Sequence, residues 1–471
     1  METILVLREL DVLYILNKKN IMRIIKKIFH SINRFIILII LYLKYRYIIR
    51  IKQKQLNKSV KRKPKLVWGP NPLINNSLWS NAAKECGFDS KTVMKTYFNS
   101  IHKKHNFDIY TNELKILRNK FFNKFCLIYY PEYSTFLFCL SRFDIFHFHF
   151  DGGFLAGTKY QDKEAEILKR TGCKTIVTPY GADYFQYSLI NDPVLQHGLL
   201  MSYPMNSTKE SEINDRVKYW TKNADCLPIT VAEGVGRWDM VILSLLGLNL
   251  SSWKFKKEYN TNNGLDGPVS ILHAPNHRGF KGTEYIIQAV NDLKKEGLQI
   301  KLILLENVQN EEVQRIMYDE ADIHAEQLIY SDGYGLNGIE GMATGLPVLS
   351  CLDNEKFMRL FRLFSFLDEC PILSTNIENI KSNLRILIKN PKLRINLGKA
   401  SRNYVEKYHS YKTSNFIFGK IYEKVWYEKD VDLMNLFNPL NPESYNNQSP
   451  IINHPLVKNK IPKELMKKLN K

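Results

Sequence analysis

The stretch YSDGYGLNGIEGMATGLPVLS, residues 330–350, places two carboxylates, Asp332 and Glu340, eight residues apart across three glycines. A continuous helix over residues 332–340 is disfavoured, because each glycine costs roughly 1 kcal/mol relative to alanine in a helix interior. The stretch instead predicts a loop, a helix over residues 339–344 and an apolar strand. Such a turn presents free N–H groups and the positive end of a helix dipole to an anion. Glu340 is then a candidate to bind a vicinal diol such as a ribose, and Asp332 a sugar hydroxyl.

Strand and helix patterns alternate on both sides of this stretch. Downstream of residue 268, strands are predicted at 269–275, 300–306 and 327–331, and helices at 283–297 and 311–321. Upstream, strands are predicted at 66–68, 143–153 and 174–183, with a helix at 163–171. This alternation is typical of βαβ units and parallel sheets. The sequence therefore predicts two α/β domains facing a cleft, where ligands bind at the carboxyl ends of the strands.

The charge of the chain is concentrated at one end. Its 471 residues carry 67 Lys+Arg and 47 Asp+Glu, a net charge of +20. Residues 1–65 contain 17 basic and 3 acidic residues (17 − 3 = +14), which leaves +6 for the rest. The uncharged run FIILIILYL, residues 35–43, is too short to span a bilayer, which requires about 20 residues. The window 21–51 therefore favours a helix in the membrane interface, with its cations facing anionic head groups.

Two other interpretations of the basic end remain open. One is a buried helix followed by a solvated basic linker. The other is a nucleic-acid-binding arm, but no nucleic-acid module follows it, so no nucleic-acid partner is expected. Seven scattered cysteines without a CxxC pair predict reduced thiols in a cytosolic compartment and no zinc site.

The pattern Asp-Gly-Tyr-Gly-x-x-x-x-Glu-Gly-Met-Ala-x-Gly-x-Pro-Val, which begins at Asp332, resembles the acid-x7-Glu signature of GT-B fold retaining glycosyltransferases of group 1 (family 4-like). The family usually has Glu in place of Asp332 and Ala in place of Gly341. The resemblance implies a GT-B fold of two Rossmann-like domains around a central cleft. It also implies a nucleotide-sugar donor bound by Gly333, Tyr334, Gly335, Leu336 and Glu340.

A second stretch, HAPNHRGFKGTEYI, residues 273–286, resembles the strand-to-helix loop with which this family holds the donor diphosphate. The resemblance implies that Arg278 and Lys281 neutralise the leaving group, and it gives Asp332 a catalytic role beside them. The chain has Ala274-Pro275 where the family more often has Gly-Arg. A solvated basic turn is the alternative interpretation. The family normally needs no metal, so no metal and no cofactor are expected.

Three residues of the N-terminal domain complete the predicted site. His147 and His149 alternate with Phe on the strand that ends at Asp151. The resemblance implies that one histidine lies beside the transferred sugar, and His149 is chosen because it is nearer the carboxyl end. Asp183, in YGADY, and Gly69, in LVWGPNP, are expected on the acceptor side. A satisfied core histidine and a turn aspartate that accepts backbone N–H groups are the structural alternatives.

The resemblance implies a retaining, metal-independent hexosyltransferase-type enzyme. Its acceptor is expected to be lipid-linked or a precursor of surface polysaccharide or lipopolysaccharide, and its location the inner face of the cytoplasmic membrane. A non-catalytic, membrane-bound GT-B partner is the rival interpretation. The predicted organisation is a basic membrane-associating segment (1–65), an acceptor domain (66–253), a linker (254–268), a nucleotide-sugar domain (269–412), a helix returning to the first domain (413–429) and an irregular tail (430–471).

Overall fold

A computed structural model of the chain describes residues 2–56, 62–98, 102–229, 232 and 234–469. The N-terminal domain contains strands β1 (Leu66–Trp68), β2 (Ser90–Met94), β3 (Ile109–Tyr110), β4 (Ile145–Phe148) and β5 (Lys174–Val177). They form one parallel sheet in the order β3-β2-β1-β4-β5. This is the strand order of the Rossmann fold.

The C-terminal domain contains strands β6 (Val269–His273), β7 (Ile300–Leu304), β8 (Ile323–Gln327), β9 (Val348–Ser350) and β10 (Leu373–Ser374). They form a second parallel sheet in the order β10-β9-β8-β6-β7. Counted from β6, this is the flavodoxin-like order. The prediction of an α/β protein with two doubly wound domains is confirmed, and the strand order of the second domain refines it.

Helices cover these sheets and extend from both ends of the chain. In the first half they are α1 (Glu2–Leu56), α2 (Ile74–Glu85), α3 (Lys120–Tyr129), α4 (Pro131–Leu140), α5 (Glu164–Arg170), α6 (Pro193–Ser202) and α7 (Glu210–Asn223). In the second half they are α8 (Arg278–Lys281), α9 (Thr283–Lys295), α10 (Asn310–Asp319), α11 (Leu336–Thr344), α12 (Glu355–Leu363), α13 (Ile380–Lys389), α14 (Pro391–Tyr408), α15 (Tyr411–Val425) and α16 (Lys463–Leu469).

Helix α9 illustrates how sequence spacing determines these layers. Ile286, Ala289, Val290 and Leu293 are spaced by three and four residues, and all four are buried. They therefore form one apolar face that packs on the sheet. The strand predicted at 327–331 is wrong, however, because β8 ends at Gln327. The five residues of β8, IHAEQ, are all buried, although three of them are polar. A search for runs of apolar residues therefore does not detect this strand.

Helix α1 is continuous, and its C-terminal half lies against the N-terminal domain. Ile37, Leu41 and Ile48 are buried in the core shared with α3 and α4. Further along, Lys52 Nζ lies 3.2 Å from Asp144 Oδ1, and both side chains are buried. Other apolar side chains of the same helix, such as Phe35, are exposed. Of the described residues, no helix combines the length and the apolar character that a membrane crossing requires.

Helix α15 contacts the N-terminal domain. The Phe418 ring lies 5.2 Å from that of Trp68, edge to face, and the Tyr422 hydroxyl lies 3.0 Å from His147 Nε2 on β4. The core cluster that contains these side chains includes residues of both domains.

The segment 254–268, expected as a linker, contains no helix or strand but lies on the C-terminal domain. The guanidinium group of the buried Arg394 donates hydrogen bonds to the carbonyl oxygens of Asn260 and Asn262 at 3.0 and 2.6 Å. Before this segment, within residues 66–253, Trp79 Nε1 donates to the carbonyl oxygen of Leu245 at 2.9 Å. The segment 254–268 is therefore held on the C-terminal domain, while Leu245 is held on the N-terminal domain.

The tail is largely irregular but is packed. Leu433, Phe437 and Tyr445 are buried in the core of the C-terminal half, and Leu456 is buried in a neighbouring cluster. Asn- and Pro-rich composition therefore does not leave this whole segment in solvent, because several of its large apolar side chains pack against the domain.

Candidate active site

A cavity of about 370 Å³ lies between the two domains. The N-terminal domain contributes Trp79, Pro179, Tyr180 and Gly181 to its lining, among others. The C-terminal domain contributes Phe280 and Gln327 together with five of the predicted site residues: Lys281, Asp332, Tyr334, Gly335 and Leu336. These C-terminal residues lie at or after the carboxyl ends of β6 and β8, the adjacent strands at which the sheet order reverses. Ligands of doubly wound sheets bind at this type of position.

Lys281 is the cation at the centre of the C-terminal wall. It is the last residue of the short helix α8, and Gly282, at φ +73°, turns the chain into α9. Its ammonium group forms an ion pair with Glu326 at 2.5 Å and donates a hydrogen bond to Gln327 Oε1 at 2.7 Å. The Lys281 side chain is 14% exposed, whereas that of Glu326 is fully buried. The charge of Lys281 is therefore held at the cavity by a carboxylate behind it.

The glycine-rich loop lies directly over this ion pair. A Cβ atom at Gly335 would be 3.1 Å from Glu326 Oε1 and 3.6 Å from Lys281 Nζ, and one at Gly338 would be 3.3 Å from Glu326 Cγ. Gly335 is the N-cap of α11 and offers no side chain to the first N–H groups of the helix. A positive helix end and a lysine ammonium group thus lie on the same cavity wall, a combination that suits an anion.

Asp332 lines the cavity and is held by neighbouring polar side chains. Its Oδ1 accepts hydrogen bonds from Asn354 Nδ2 at 2.6 Å and from Ser331 Oγ at 3.2 Å. Ser331 Oγ also lies 3.1 Å from Asp192 Oδ2 in the N-terminal domain. Gly333, at φ +151°, accepts a hydrogen bond from Gln327 Nε2 through its carbonyl oxygen. The first acid of the signature is therefore at the junction of the two domains.

Tyr334 anchors the loop from the other side. Its hydroxyl group lies 2.8 Å from the Tyr404 hydroxyl and 2.8 Å from His409 Nε2, and both partners are buried. The Tyr334 hydroxyl group therefore fixes the loop to α14, and the residue serves the cavity only as part of its lining.

Glu340 does not line the cavity. It is buried, and its carboxylate accepts hydrogen bonds from Asn310 Nδ2 at 2.9 Å and from Asn337 Nδ2 at 3.1 Å. Burial raises its pKa to about 7 because the charged form is desolvated, and the two amide donors partly oppose this shift. Because Glu340 is buried, a diol can reach its carboxylate only if neighbouring side chains move.

Arg278 is oriented away from the cavity. It is exposed, and its guanidinium group forms ion pairs with Glu284 at 2.6 Å and Glu306 at 2.9 Å. It is not one of the described residues that line the cavity, so its predicted contact with a diphosphate requires that it leave these partners. The surroundings of Arg278 therefore resemble the solvated basic turn, the alternative interpretation, more closely than a diphosphate-binding site.

His149 lies behind the N-terminal wall. It is 1% exposed, its Nδ1 lies 2.6 Å from the Thr178 carbonyl oxygen, and its Nε2 lies 3.2 Å from Asn76 Oδ1. The carbonyl contact requires that Nδ1 carry a proton. Burial lowers the pKa of His149 to about 4, so the ring is neutral near pH 7. The rings of two lining residues, Trp79 and Tyr180, lie 6.4 and 5.4 Å from it.

His147 is a core residue by its contacts. Its ring is stacked on Trp68 at a centroid distance of 3.4 Å, and its Nε2 contacts the Tyr422 hydroxyl. Of the two histidines, His149 is thus the nearer to the cavity wall, as its position on the strand suggested.

Neither Asp183 nor Gly69 is one of the described residues that line the cavity. The Asp183 carboxylate is buried and accepts three backbone N–H groups, from Phe150, Tyr180 and Gly181, at 2.9 to 3.0 Å. This is the structural alternative considered for it, and it fixes the loop that carries Tyr180. Gly69 approaches β2 so closely that a Cβ atom would lie 2.1 Å from the Val93 carbonyl oxygen.

Sequence reasoning missed several residues that shape the site. Glu326 and Gln327 bind Lys281, and Asp151 accepts hydrogen bonds from Asn71 Nδ2 and from the Tyr180 hydroxyl. Asp151 directly follows the His-x-His strand, so its position at a strand end could have identified it. Among the described residues, no group of three or more His, Cys, Asp or Glu side chains could hold a metal ion.

Comparisons with known proteins give likenesses of structure alone. No protein-family profile matches the chain, and no curated protein matches it in sequence. A glycosyltransferase from Rickettsia africae ESF-5 superposes with a TM-score of 0.43 at 11% identity, covering 78% of this chain and 100% of the other. The second structure is a complex between 3,4-dichloroaniline and a UDP-glucosyltransferase from Polygonum tinctorium that is capable of glucosylating indoxyl. It superposes with a TM-score of 0.39 at 10% identity, again covering 78% of this chain and 100% of the other.

Proposed function

We propose that this protein transfers a sugar, of the hexosyl type, from a nucleotide-sugar donor to an acceptor, with retention of configuration at the anomeric carbon. One observation carries the proposal: the Lys281 ammonium group and the uncapped N-terminus of α11 share a wall of the interdomain cavity. A nucleoside diphosphate is an anion with two phosphates, and this wall offers both a point charge and backbone donors. The opposite wall, with Trp79 and Tyr180, is left for the acceptor.

In the proposed reaction, the bond between the anomeric carbon and the diphosphate breaks first. Lys281 and the N–H groups at the start of α11 stabilise the negative charge that develops on the leaving diphosphate. The acceptor hydroxyl oxygen attacks on the face from which the diphosphate departs, and its proton passes to the departing diphosphate. This same-face attack retains the configuration and requires no protein nucleophile. The positive charge comes from the chain itself, so the proposal includes no metal and no cofactor.

The roles of the remaining predicted residues follow from their surroundings. Asp332 is the acid on the cavity, and we assign it to a sugar hydroxyl. Glu340 binds the ribose after exchange of its Asn310 or Asn337 contact. Arg278 joins the diphosphate after release from Glu284 and Glu306. His149 acts as a neutral ring behind Tyr180, where it orients the wall beside the transferred sugar.

The acceptor proposed here is lipid-linked or a precursor of surface polysaccharide or lipopolysaccharide, at the inner face of the cytoplasmic membrane. Exposed cations along α1, such as Arg23, Lys27 and Arg50, support this proposal. Each basic residue near an anionic bilayer contributes about 1 kcal/mol to binding. Nucleic acid is not part of the proposed function.

The transfer reaction is tested by nucleotide release from a panel of nucleotide sugars, with a crude lipid extract as acceptor. Native protein is expected to release nucleotide from one donor, and Lys281→Ala and Glu340→Ala are expected to lose that release. Lys301→Ala is a matched control, because Lys301 is an exposed lysine of the same domain that pairs with Glu320 at 2.8 Å. Retention is tested by the anomeric configuration of the product. Release that persists in Lys281→Ala contradicts the proposal.

The membrane association is tested by point substitutions, since deletion of α1 would also remove Leu41 and Lys52 from the domain core. Arg23→Gln, Lys27→Gln and Arg50→Gln together are expected to weaken sedimentation with anionic vesicles by about a hundredfold. The control carries the same change of charge at the exposed residues Lys294, Lys295 and Lys399 of the C-terminal domain. Equal binding of both triple variants contradicts an attachment through α1.

A second candidate function is that of a non-catalytic membrane-bound partner with the same fold. The observation that favours it is that Glu340, Arg278 and Lys281 are each already paired within the chain. This function predicts that no donor is consumed and that no nucleotide sugar raises the melting temperature of the native protein.

A further inference from the structure

A second, largely apolar groove of about 500 Å³ lies between α1 and the N-terminal domain. It is outside the interdomain cavity, and its lining comes from α1, α4 and the segment 155–167. Its floor is formed by Leu41, Phe136, Leu137 and Leu155, all of them buried. Its volume lies within the range of about 300 to 1,000 Å³ typical of sites for small ligands.

The walls of the groove are open to solvent although they are apolar. Leu38 and Ile39 of α1 are 40% and 43% exposed, and Tyr42 and Tyr160 are also exposed. Tyr160 lies edge to face against Tyr133, another lining residue, at 5.8 Å. Exposed apolar walls over an apolar floor favour a ligand that supplies hydrocarbon, because each methylene group that leaves water strengthens binding.

Positive charge is placed at the opening of the groove. Lys159 lines it, is exposed and lies 5.1 Å over the Tyr160 ring. Arg46, also exposed, donates a hydrogen bond to the hydroxyl of Tyr42, a second lining residue, at 3.1 Å. None of the described lining residues is acidic. The groove therefore combines a hydrocarbon-binding floor with a cationic opening.

We infer that this groove binds one acyl chain of an anionic membrane phospholipid, with its phosphate near Lys159 and Arg46. An interfacial helix alone predicts only partition into a bilayer. The groove adds a defined site for a single lipid, which would fix the orientation of the N-terminal domain on the membrane. The inference does not depend on the transfer reaction, so the nucleotide-release experiment and the lipid experiment can fail separately.

The test uses full-length protein and decanoyl lysophosphatidylglycerol below its critical micelle concentration, so that no bilayer is present. Isothermal calorimetry is expected to show saturable binding of one lipid per chain, tighter than binding of decanoyl lysophosphatidylcholine. Lys159→Gln is expected to reduce that preference. Leu38→Trp fills the groove and is expected to weaken binding by about tenfold or more, the equivalent of two buried methylene groups.

The matched control is Leu43→Trp, since Leu43 is on the same helix, is 61% exposed and lies outside the groove. It is expected to bind the lipid as the native protein does, with both variants unfolding at the native midpoint. Three results overturn the inference: no saturable binding by native protein, equal losses in Leu38→Trp and Leu43→Trp, or a native dimer that Leu38→Trp dissociates. The last result would assign the groove to a second copy of the chain.

Discussion

The ammonium group of Lys281 and the carboxylate of Glu326 form an ion pair at the base of the interdomain cavity, with the carboxylate completely buried. Ser350 Oγ donates to the other oxygen of Glu326 at 2.9 Å, so both carboxylate oxygens have partners. The pair does two things at once. It stabilises a lysine that is mostly withdrawn from water, and it reduces the net charge that the cavity presents to an anion.

Removing the carboxylate separates these two effects. Glu326→Ala leaves a largely buried ammonium group without its counter-charge and is expected to lower the free energy of unfolding by about 3 kcal/mol. Glu326→Gln keeps the shape and is expected to tighten nucleoside diphosphate binding by about three- to tenfold, because Lys281 then acts without an opposing charge. Urea unfolding and calorimetry measure the two quantities. Glu312→Ala, which breaks an exposed pair with Arg315, is the control and should leave both near the native values.

If Glu326→Gln destabilises the protein but leaves nucleotide affinity unchanged, the ion pair is structural only, and Lys281 does not contact the diphosphate.

The contact between α15 and β4 gives a second prediction. Tyr422→Phe removes the hydroxyl that lies 3.0 Å from His147 Nε2. His147 Nδ1 is already buried without a partner, so the variant leaves both ring nitrogens unsatisfied. A loss of about 1 to 2 kcal/mol in the free energy of unfolding is expected from urea titration. Tyr427→Phe, at a partly exposed position two residues beyond the helix end, should change it by less than about 0.5 kcal/mol. Equal effects of the two substitutions contradict the prediction.

The pKa of Glu340 gives a pH-dependent prediction. Burial raises this pKa from the ordinary value of 4.5 to about 7, so the folded protein binds a proton that the unfolded chain releases between these pH values. The contribution of Glu340 to stability is therefore complete below pH 4.5 and is lost as the pH rises through 7. Relative to Glu340→Gln, the native protein is expected to lose up to about 3 kcal/mol between pH 4 and 8. Paired urea titrations across this range measure the difference, and a constant difference contradicts the pKa.

The packed tail gives a fourth prediction. Phe437 is 1% exposed, and its ring lies 5.2 Å from Phe366 and 5.4 Å from Tyr445. Phe437→Ala leaves a cavity in this cluster and is expected to cost about 3 to 5 kcal/mol of the free energy of unfolding. Leu440→Ala, three residues further along and 89% exposed, is expected to cost less than about 0.5 kcal/mol. If the tail contributed nothing to stability, Phe437→Ala and Leu440→Ala would have the same small effect on the free energy of unfolding.

Several elements could be predicted because their sequence patterns are local. The buried run of β4, the amphipathic face of α9 and the presence of a helix after the glycine-rich loop follow from spacing and residue type. The helix predicted over residues 339–344 begins earlier in the structure, because α11 starts at Leu336 and includes Gly338. Strand β8 was misplaced because the buried polar side chains of Glu326 and Gln327 are both partnered by Lys281, which is 45 residues away from Glu326 in the chain. A polar residue buried by a distant partner has no local signature.

By itself, the sequence determined the α/β class and the two sheets, since periodicity and glycine content act over a few residues. The proximity of Lys281 to a glycine-rich helix start was implied only by the resemblance of the two loops to a known family. Only the tertiary structure decided which charges face the cavity. Arg278 is paired with Glu284 and Glu306 on the surface, Glu340 is occupied by two asparagines, and Asp183 is bound to backbone N–H groups. It also decided that α1 is buried on one side and exposed on the other. These outcomes depend on partners that are separated in the chain, because the free energy of a buried charge or apolar side chain depends on the groups that the fold brings into contact with it.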